Sequence, residues 1–110
     1  MKEEKIIIEF KYPWTMMPLE NADEWINFVR ASLNENDPLF KKKIFVSGRH
    51  EHEKLLLVEN DSDNNHAIVS VMHDKKAKRI ICKTIEVIKS RSALAERLKA
   101  DHQKATEGYK

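Results

Sequence analysis

The spacing of three strand-like runs constrains the fold of this chain more than any other feature. Residues 43–49, 54–59 and 66–72 are rich in aliphatic side chains and are separated by polar turns. The connections between them, residues 50–53 and 60–65, are too short for a parallel crossover, which needs about a dozen residues or more. The three runs are therefore predicted to be neighbouring antiparallel strands of one sheet.

Residues 78–88 form the next run, and their pattern permits two structures. As a strand, the run adds further β-branched residues to the sheet. As a helix, it presents one face at helical spacing, formed by Ala77, Ile81, Thr84, Ile85 and Ile88. The density of β-branched residues favours the strand. A strand is therefore predicted for this run, with a helix as the alternative.

A helix is predicted over residues 21–34. Asn21 is a suitable N-cap, and Glu24 stands three positions later, as in a capping box. Apolar residues recur on one face of this helix at Trp25, Ile26, Val29 and Leu33. This face is predicted to cover one side of the sheet.

A second helix is predicted over residues 93–106, with Ser90 or Ser92 as its N-cap. Its apolar face is weak, because Asp101 and His102 interrupt it. The main apolar residues of that face are Leu94 and Leu98. We expect this helix to pack at the periphery or against another molecule.

The segment before the first helix combines a strand pattern with a proline-rich connection. Residues 5–12 alternate in polarity and predict a half-buried strand that Pro13 ends. Residues 13–19 contain two prolines and predict no regular element. They are nevertheless apolar, so they either close over the core or remain available to a partner protein. The candidate partner-binding residues are Trp14, Met16 and Met17.

Together these elements predict an α+β fold. The chain of 110 residues has the length of one domain, so residues 1–110 are expected to form a single domain with residues 107–110 frayed. Its centre would be an antiparallel sheet of four to five strands. The amphipathic helix 21–34 would cover one face of the sheet, and a C-terminal helix would follow it.

Composition excludes several classes of protein. With two glycines in the chain, glycine-rich phosphate loops are not expected. The one cysteine, Cys82, cannot form an internal disulfide, which favours a reducing compartment. The first residues include two glutamates where a signal peptide has only basic charges, and no apolar run approaches the length of a membrane span. We expect a cytoplasmic protein without membrane association or cofactor.

The densest group of titratable residues runs from Arg49 to Glu53. His50 and His52 would project to the same side of an extended chain. Such a pair could act as general base and general acid in metal-free RNA cleavage, with Arg49 or Lys83 stabilising negative charge. The histidines could also offer two ligands to Zn²⁺, with Glu59, His66 or His73 completing the coordination shell. The favoured interpretation is a solvated loop, so no catalytic residue and no metal site is predicted.

Charge is distributed unequally along the chain. Residues 1–73 contain 9 Lys and Arg against 13 Asp and Glu, a net charge of −4, whereas residues 74–110 contain 11 against 5, a net charge of +6. A basic surface of this kind attracts acidic partners such as nucleic acid or an acidic protein. The side chains predicted to form a basic strip are Lys75, Lys76, Lys78, Arg79, Lys83, Lys89, Arg91, Arg97 and Lys99.

No catalytic motif accompanies these features. We therefore expect a small non-catalytic protein that binds another protein stoichiometrically, in the manner of an immunity protein, an antitoxin or an inhibitor. The alternative is an RNA-binding protein, or a small ribonuclease that uses His50 and His52 together with the basic strip. Whether the protein is an enzyme stays open, although the sequence favours a binding role.

Overall fold

The computed structural model describes residue 8 and residues 10–107. Within these residues the chain forms five strands, two α-helices and one 3-10 turn at Leu19–Asn21. In chain order, the strands and helices are β1 (Trp14–Met16), α1 (Ala22–Ser32), β2 (Ile44–His50), β3 (Leu55–Asn60), β4 (Asn65–Asp74), β5 (Arg79–Ile88) and α2 (Arg91–Thr106).

The five strands form one antiparallel sheet in the order β1-β2-β3-β4-β5. Each strand pairs with its neighbours in the chain, so the antiparallel meander predicted from the short connections is confirmed. Residues 78–88 contribute strand β5 rather than a helix, as the β-branched density indicates. The predicted α+β class, with a helix on one face and a C-terminal helix, is confirmed as well.

The sheet is covered on both faces, and this follows from the alternation of side chains along a strand. In β3, Leu56 and Val58 belong to a core beneath α1, whereas Leu57 belongs to a second core beneath α2. We call these the α1-side core and the α2-side core. Because β3 is buried on both faces, its sequence is a continuous apolar run instead of an alternating one.

Helix α2 completes the α2-side core. Leu94 and Leu98 are buried there, and the Ser90 hydroxyl accepts a hydrogen bond from the backbone N–H of Ala93 at 3.1 Å, as expected of an N-cap. The expectation that α2 packs peripherally is therefore wrong. Two leucines are enough to anchor α2 because the sheet face beneath them is already apolar. Asp101 does not disrupt this core, because its carboxylate accepts a hydrogen bond from the indole N–H of Trp14.

The predicted cap of α1 does not form. The 3-10 turn runs directly into α1, so Asn21 has a helical backbone with φ −101° and ψ −1°, and its side chain makes no capping hydrogen bond. An N-cap residue has an extended backbone, which this continuous path does not allow. The helix begins at Ala22, and Glu24 lies at the rim of a groove instead.

The strand predicted over residues 5–12 falls largely outside the described residues. Of its described part, Phe10 to Tyr12 are not in a strand, although Ile8 and Phe10 pack against the α2-side core. The first strand is β1, within the segment predicted to lack regular structure. Its three residues pair with β2, and Pro13 and Pro18 lie outside it, so neither proline removes a donor from the ladder.

The predicted fraying at the end of the chain lies mostly outside the described residues. Glu107 is described and follows α2 as its C-cap, with its backbone N–H bonded to the carbonyl of Gln103. Residues 108–110 are not among those described.

Candidate binding groove

A groove of about 670 Å³ lies between the first half of α1 and one end of the sheet. Strands β4 and β5 continue past the last pair between β3 and β4, Leu55 with Ser70, and so provide a wall that β3 does not reach. Its lining residues are Glu24, Trp25 and Phe28 of α1, residues 49–56 around the turn between β2 and β3, Val71 of β4 and Ile80 of β5.

Two aromatic side chains of α1 line this groove. Trp25 and Phe28 are three residues apart and therefore share a helix face, and their rings meet edge to face with centroids 5.7 Å apart. Both pack partly against the α1-side core. Opposite them, Ile80 keeps 45% of its surface exposed. We call this feature the aromatic groove.

Charged side chains of both signs surround the aromatic groove. Glu24, Glu51 and Glu53 bring negative charge, and Arg49 and Lys54 bring positive charge. Among the described residues, Arg49 and Lys54 form no ion pair. The arrangement is an apolar centre inside a polar rim, which is the usual anatomy of a protein-binding surface.

His50 stabilises the turn between β2 and β3. Its Nδ1 accepts hydrogen bonds from the backbone N–H groups of His52 and Glu53, at 3.1 and 3.0 Å. Accepting both bonds requires an unprotonated Nδ1, so the neutral ring carries its proton on Nε2. The ring also meets Trp14 edge to face, with centroids 5.2 Å apart.

The structure brings His50 and His52 together, with ring centroids 6.4 Å apart. Nε2 of His52 is hydrogen-bonded to the hydroxyl of Tyr12, so each histidine has one nitrogen in an internal hydrogen bond. Arg49 lines the aromatic groove together with both histidines.

Two of the potential metal ligands form a pair away from His50 and His52. Glu59 and His66 are cross-strand partners with 3.5 Å between Oε1 and Nε2. Over the part of the chain that the structure describes, no group of three or more His, Cys, Asp and Glu is placed to hold a metal ion.

The candidate partner-binding residues of the 13–19 segment have different environments. Trp14 is 2% exposed in the α2-side core, and its Nε1–H donates to Oδ2 of Asp101 at 2.8 Å. Met17 is buried in the α1-side core. Met16 is 65% exposed. Trp14 and Met17 thus occupy the positions expected of a cover over the core.

The basic residues form separate groups. Lys75, Lys76, Lys78 and Arg79 surround the turn between β4 and β5, and Lys83 lies within β5. The remaining members, at the other end of β5 and in α2, are Lys89, Arg91, Arg97 and Lys99. Since β5 has 10 residues, about 30 Å separates the basic residues of the turn from those at its other end, and Lys83 lies between the two groups.

Arg97 is the most constrained member of the helical group. Its guanidinium pairs with Glu86 of β5 and with Asp101, whose Oδ2 lies 3.2 Å from its Nε. Burial alone would lower the pKa of Arg97, but the hydrogen bonds and negative charges of the two carboxylates outweigh it and raise that pKa. Arg97 therefore joins α2 to the sheet.

The aromatic groove is not among the sites predicted from the sequence. The helical pattern assigns Trp25 to the face that covers the sheet, which describes one half of its environment. One signal was available in Arg79-Ile80, where an isoleucine follows a lysine-rich turn and is therefore displayed near the end of a strand. Its significance depends on β4 and β5 extending past β3, which no local pattern contains.

Comparison with known proteins assigns no family: no protein-family model, no curated protein and no solved structure gives a significant match to this chain. None of the described helices is both long enough and apolar enough to cross a membrane.

Proposed function

We propose that the protein is a non-catalytic binding module that holds a partner protein stoichiometrically in the aromatic groove. The observation that carries this proposal is an open groove with two aromatic side chains, an exposed isoleucine and a rim of mixed charge. The finer assignment, a cytoplasmic protein of the immunity, antitoxin or inhibitor type, belongs to the same proposal.

The physical support comes from how binding energy is distributed in protein interfaces. A few aromatic and aliphatic anchors in a desolvated centre supply most of the energy, and the polar residues around them exclude water and select the partner. Trp25 and Phe28 are held in place by the α1-side core. Their rings would therefore lose little conformational entropy when a partner binds. An apolar side chain of the partner would contact them and Ile80.

The test compares two strand residues of equal chemistry. Ile80 lies in the groove and is 45% exposed, whereas Ile85 is 52% exposed on the same strand and does not line it. Wild-type, Ile80→Glu and Ile85→Glu proteins are immobilised and incubated with nuclease-treated native lysate. We expect one protein in stoichiometric amount on the wild type and on Ile85→Glu.

The Ile80→Glu protein should lose that partner. A charge at the centre of the interface costs about 2 kcal/mol or more, or roughly a 30-fold loss of affinity. Urea unfolding of all three proteins checks that the variants fold. The proposal fails if the wild type retains no stoichiometric protein, or if Ile80→Glu retains it as well as Ile85→Glu does.

A further inference from the structure

The turn between β4 and β5 is the tip of a two-stranded arm that extends beyond the rest of the sheet. The last contact of β4 with the β3 side is the hydrogen bond from Val71 N–H to the carbonyl of Lys54, at 2.9 Å. Beyond it, residues 72–74 pair only with residues 79–81 among the described strands. We call residues 72–81 the arm, and at ~3.3 Å per residue it extends about 10 Å past β3.

The tip of the arm is locally ordered. Oδ1 of Asp74 accepts hydrogen bonds from the backbone N–H groups of Lys76 and Ala77, at 3.0 and 3.2 Å. Lys78 adopts the left-handed conformation, with φ 53°, which lets the chain return into β5. The turn thus has a defined shape, and three lysines project from four successive residues.

The tip carries uncompensated positive charge. Lys75, Lys76, Lys78 and Arg79 are all exposed, and among the described residues none of them forms an ion pair with a carboxylate. One oxygen of the nearest acidic side chain in sequence, Asp74, is already hydrogen-bonded to the turn backbone. Four cations on an exposed tip create a local potential that attracts phosphates.

We propose that the tip of the arm, residues 74–79, binds duplex DNA at the major groove, with its four cations on the flanking phosphates. A two-stranded ribbon fits the major groove of B-form DNA, which is about 12 Å wide and about 8.5 Å deep, close to the length of the arm. The deep, narrow major groove of double-stranded RNA does not admit it. Single-stranded binding would use large aromatic side chains for base stacking, and residues 72–81 contain no Phe, Tyr or Trp.

The test measures the anisotropy of a fluorescein-labelled DNA duplex of about 20 base pairs titrated with the full chain at 50 and 200 mM salt. If all four cations neutralise phosphates, affinity falls up to about 150-fold between these two salt concentrations. Replacing them together, Lys75→Gln, Lys76→Gln, Lys78→Gln and Arg79→Gln, should weaken binding at 50 mM salt by at least tenfold.

The matched control removes the same number of exposed charges elsewhere, by Lys41→Gln, Lys43→Gln, Lys99→Gln and Lys104→Gln. It should change the DNA affinity by less than about threefold, because these residues lie outside the arm. Absence of saturable binding at 50 mM salt overturns the proposal. So does an equal loss in the control variant, or equal affinity for an RNA duplex of the same sequence.

Discussion

Asp101 shows how a polar residue can be part of an apolar helix face without weakening it. Its carboxylate accepts the Nε1–H of Trp14, which is buried, and also pairs with Arg97. Without that acceptor, the indole N–H would be buried and unbonded, which costs free energy comparable to a lost hydrogen bond. The interruption in the α2 pattern is therefore the residue that allows Trp14 to be buried.

Replacing Asp101 tests this account. Asp101→Ala should lower the free energy of unfolding by about 1–3 kcal/mol, because it leaves the Trp14 N–H without an acceptor. Asp101→Asn keeps an oxygen at that position and should recover most of the loss. Urea unfolding followed by tryptophan fluorescence measures both. A loss in Asp101→Ala no larger than that of Glu96→Ala, an exposed position of the same helix, would contradict the account.

Cys82 is a titratable group within the α1-side core. Burial raises the pKa of its thiol to about 11, and the negative charge of Asp37 acts in the same direction, against a hydrogen bond with Ser32. Since the folded state holds this proton more tightly than the unfolded state, the thiol stabilises the fold below pH 9. That contribution is lost as the pH rises toward 11.

The pH dependence of stability should therefore differ between the wild type and Cys82→Ala. Between pH 9 and pH 11 the free energy of unfolding of the wild type should fall more steeply, by at most about 1.4 kcal/mol per pH unit. Urea unfolding at a series of pH values gives both curves, and the other titrating groups cancel in their difference. If the two proteins lose stability with pH at the same rate, burial does not raise the pKa of the Cys82 thiol.

At the scale of the elements, β5 is an edge strand, and the connection between α1 and β2 covers part of it. Asp37 accepts hydrogen bonds from the backbone N–H and the hydroxyl of Thr84, at 2.7 and 2.6 Å. Leu33 forms a parallel bridge with Cys82 on the same edge. An uncovered strand edge can pair with another chain, so this connection also limits self-association.

Asp37→Ala should uncover this edge. The free energy of unfolding should fall by about 2–3 kcal/mol, since both donors of Thr84 lose a charged acceptor. Sedimentation velocity should also reveal stronger concentration-dependent association than that of the wild type. Glu35→Ala, at an exposed position of the same connection, is the control and should change neither property. An Asp37→Ala protein that is as stable as this control would contradict the role given to Asp37.

At the scale of the whole molecule, the order of the strands could be predicted from the sequence better than the packing of α2 on the sheet. Short connections and β-branched runs determine strand order locally, and for that reason the meander and β5 could be predicted. The place of α2 could not, because Leu94 and Leu98 form a core only against a sheet face that also includes Leu57 and Ile68. Local pattern carries no information about contacts between distant residues.

The candidate sites follow the same rule. The sequence identifies His50 and His52 as neighbours, and their rings do lie close together. It does not show that Nδ1 of His50 accepts two backbone N–H groups, because that depends on how the turn closes. Likewise, the basic residues are neighbours in the sequence, but the length of β5 separates them into groups.

The bond between Trp14 and Asp101 has a consequence for a chain that is still being synthesised. The two residues are 87 positions apart, so at about 5–20 residues per second Asp101 is added about 4 to 17 seconds after Trp14. In the last part of that interval, after Ile68 has been added and before α2 is complete, the sheet face that contains Leu57 and Ile68 has no helix to cover it. On a ribosome, that face is the surface a chaperone would have to shield until α2 emerges.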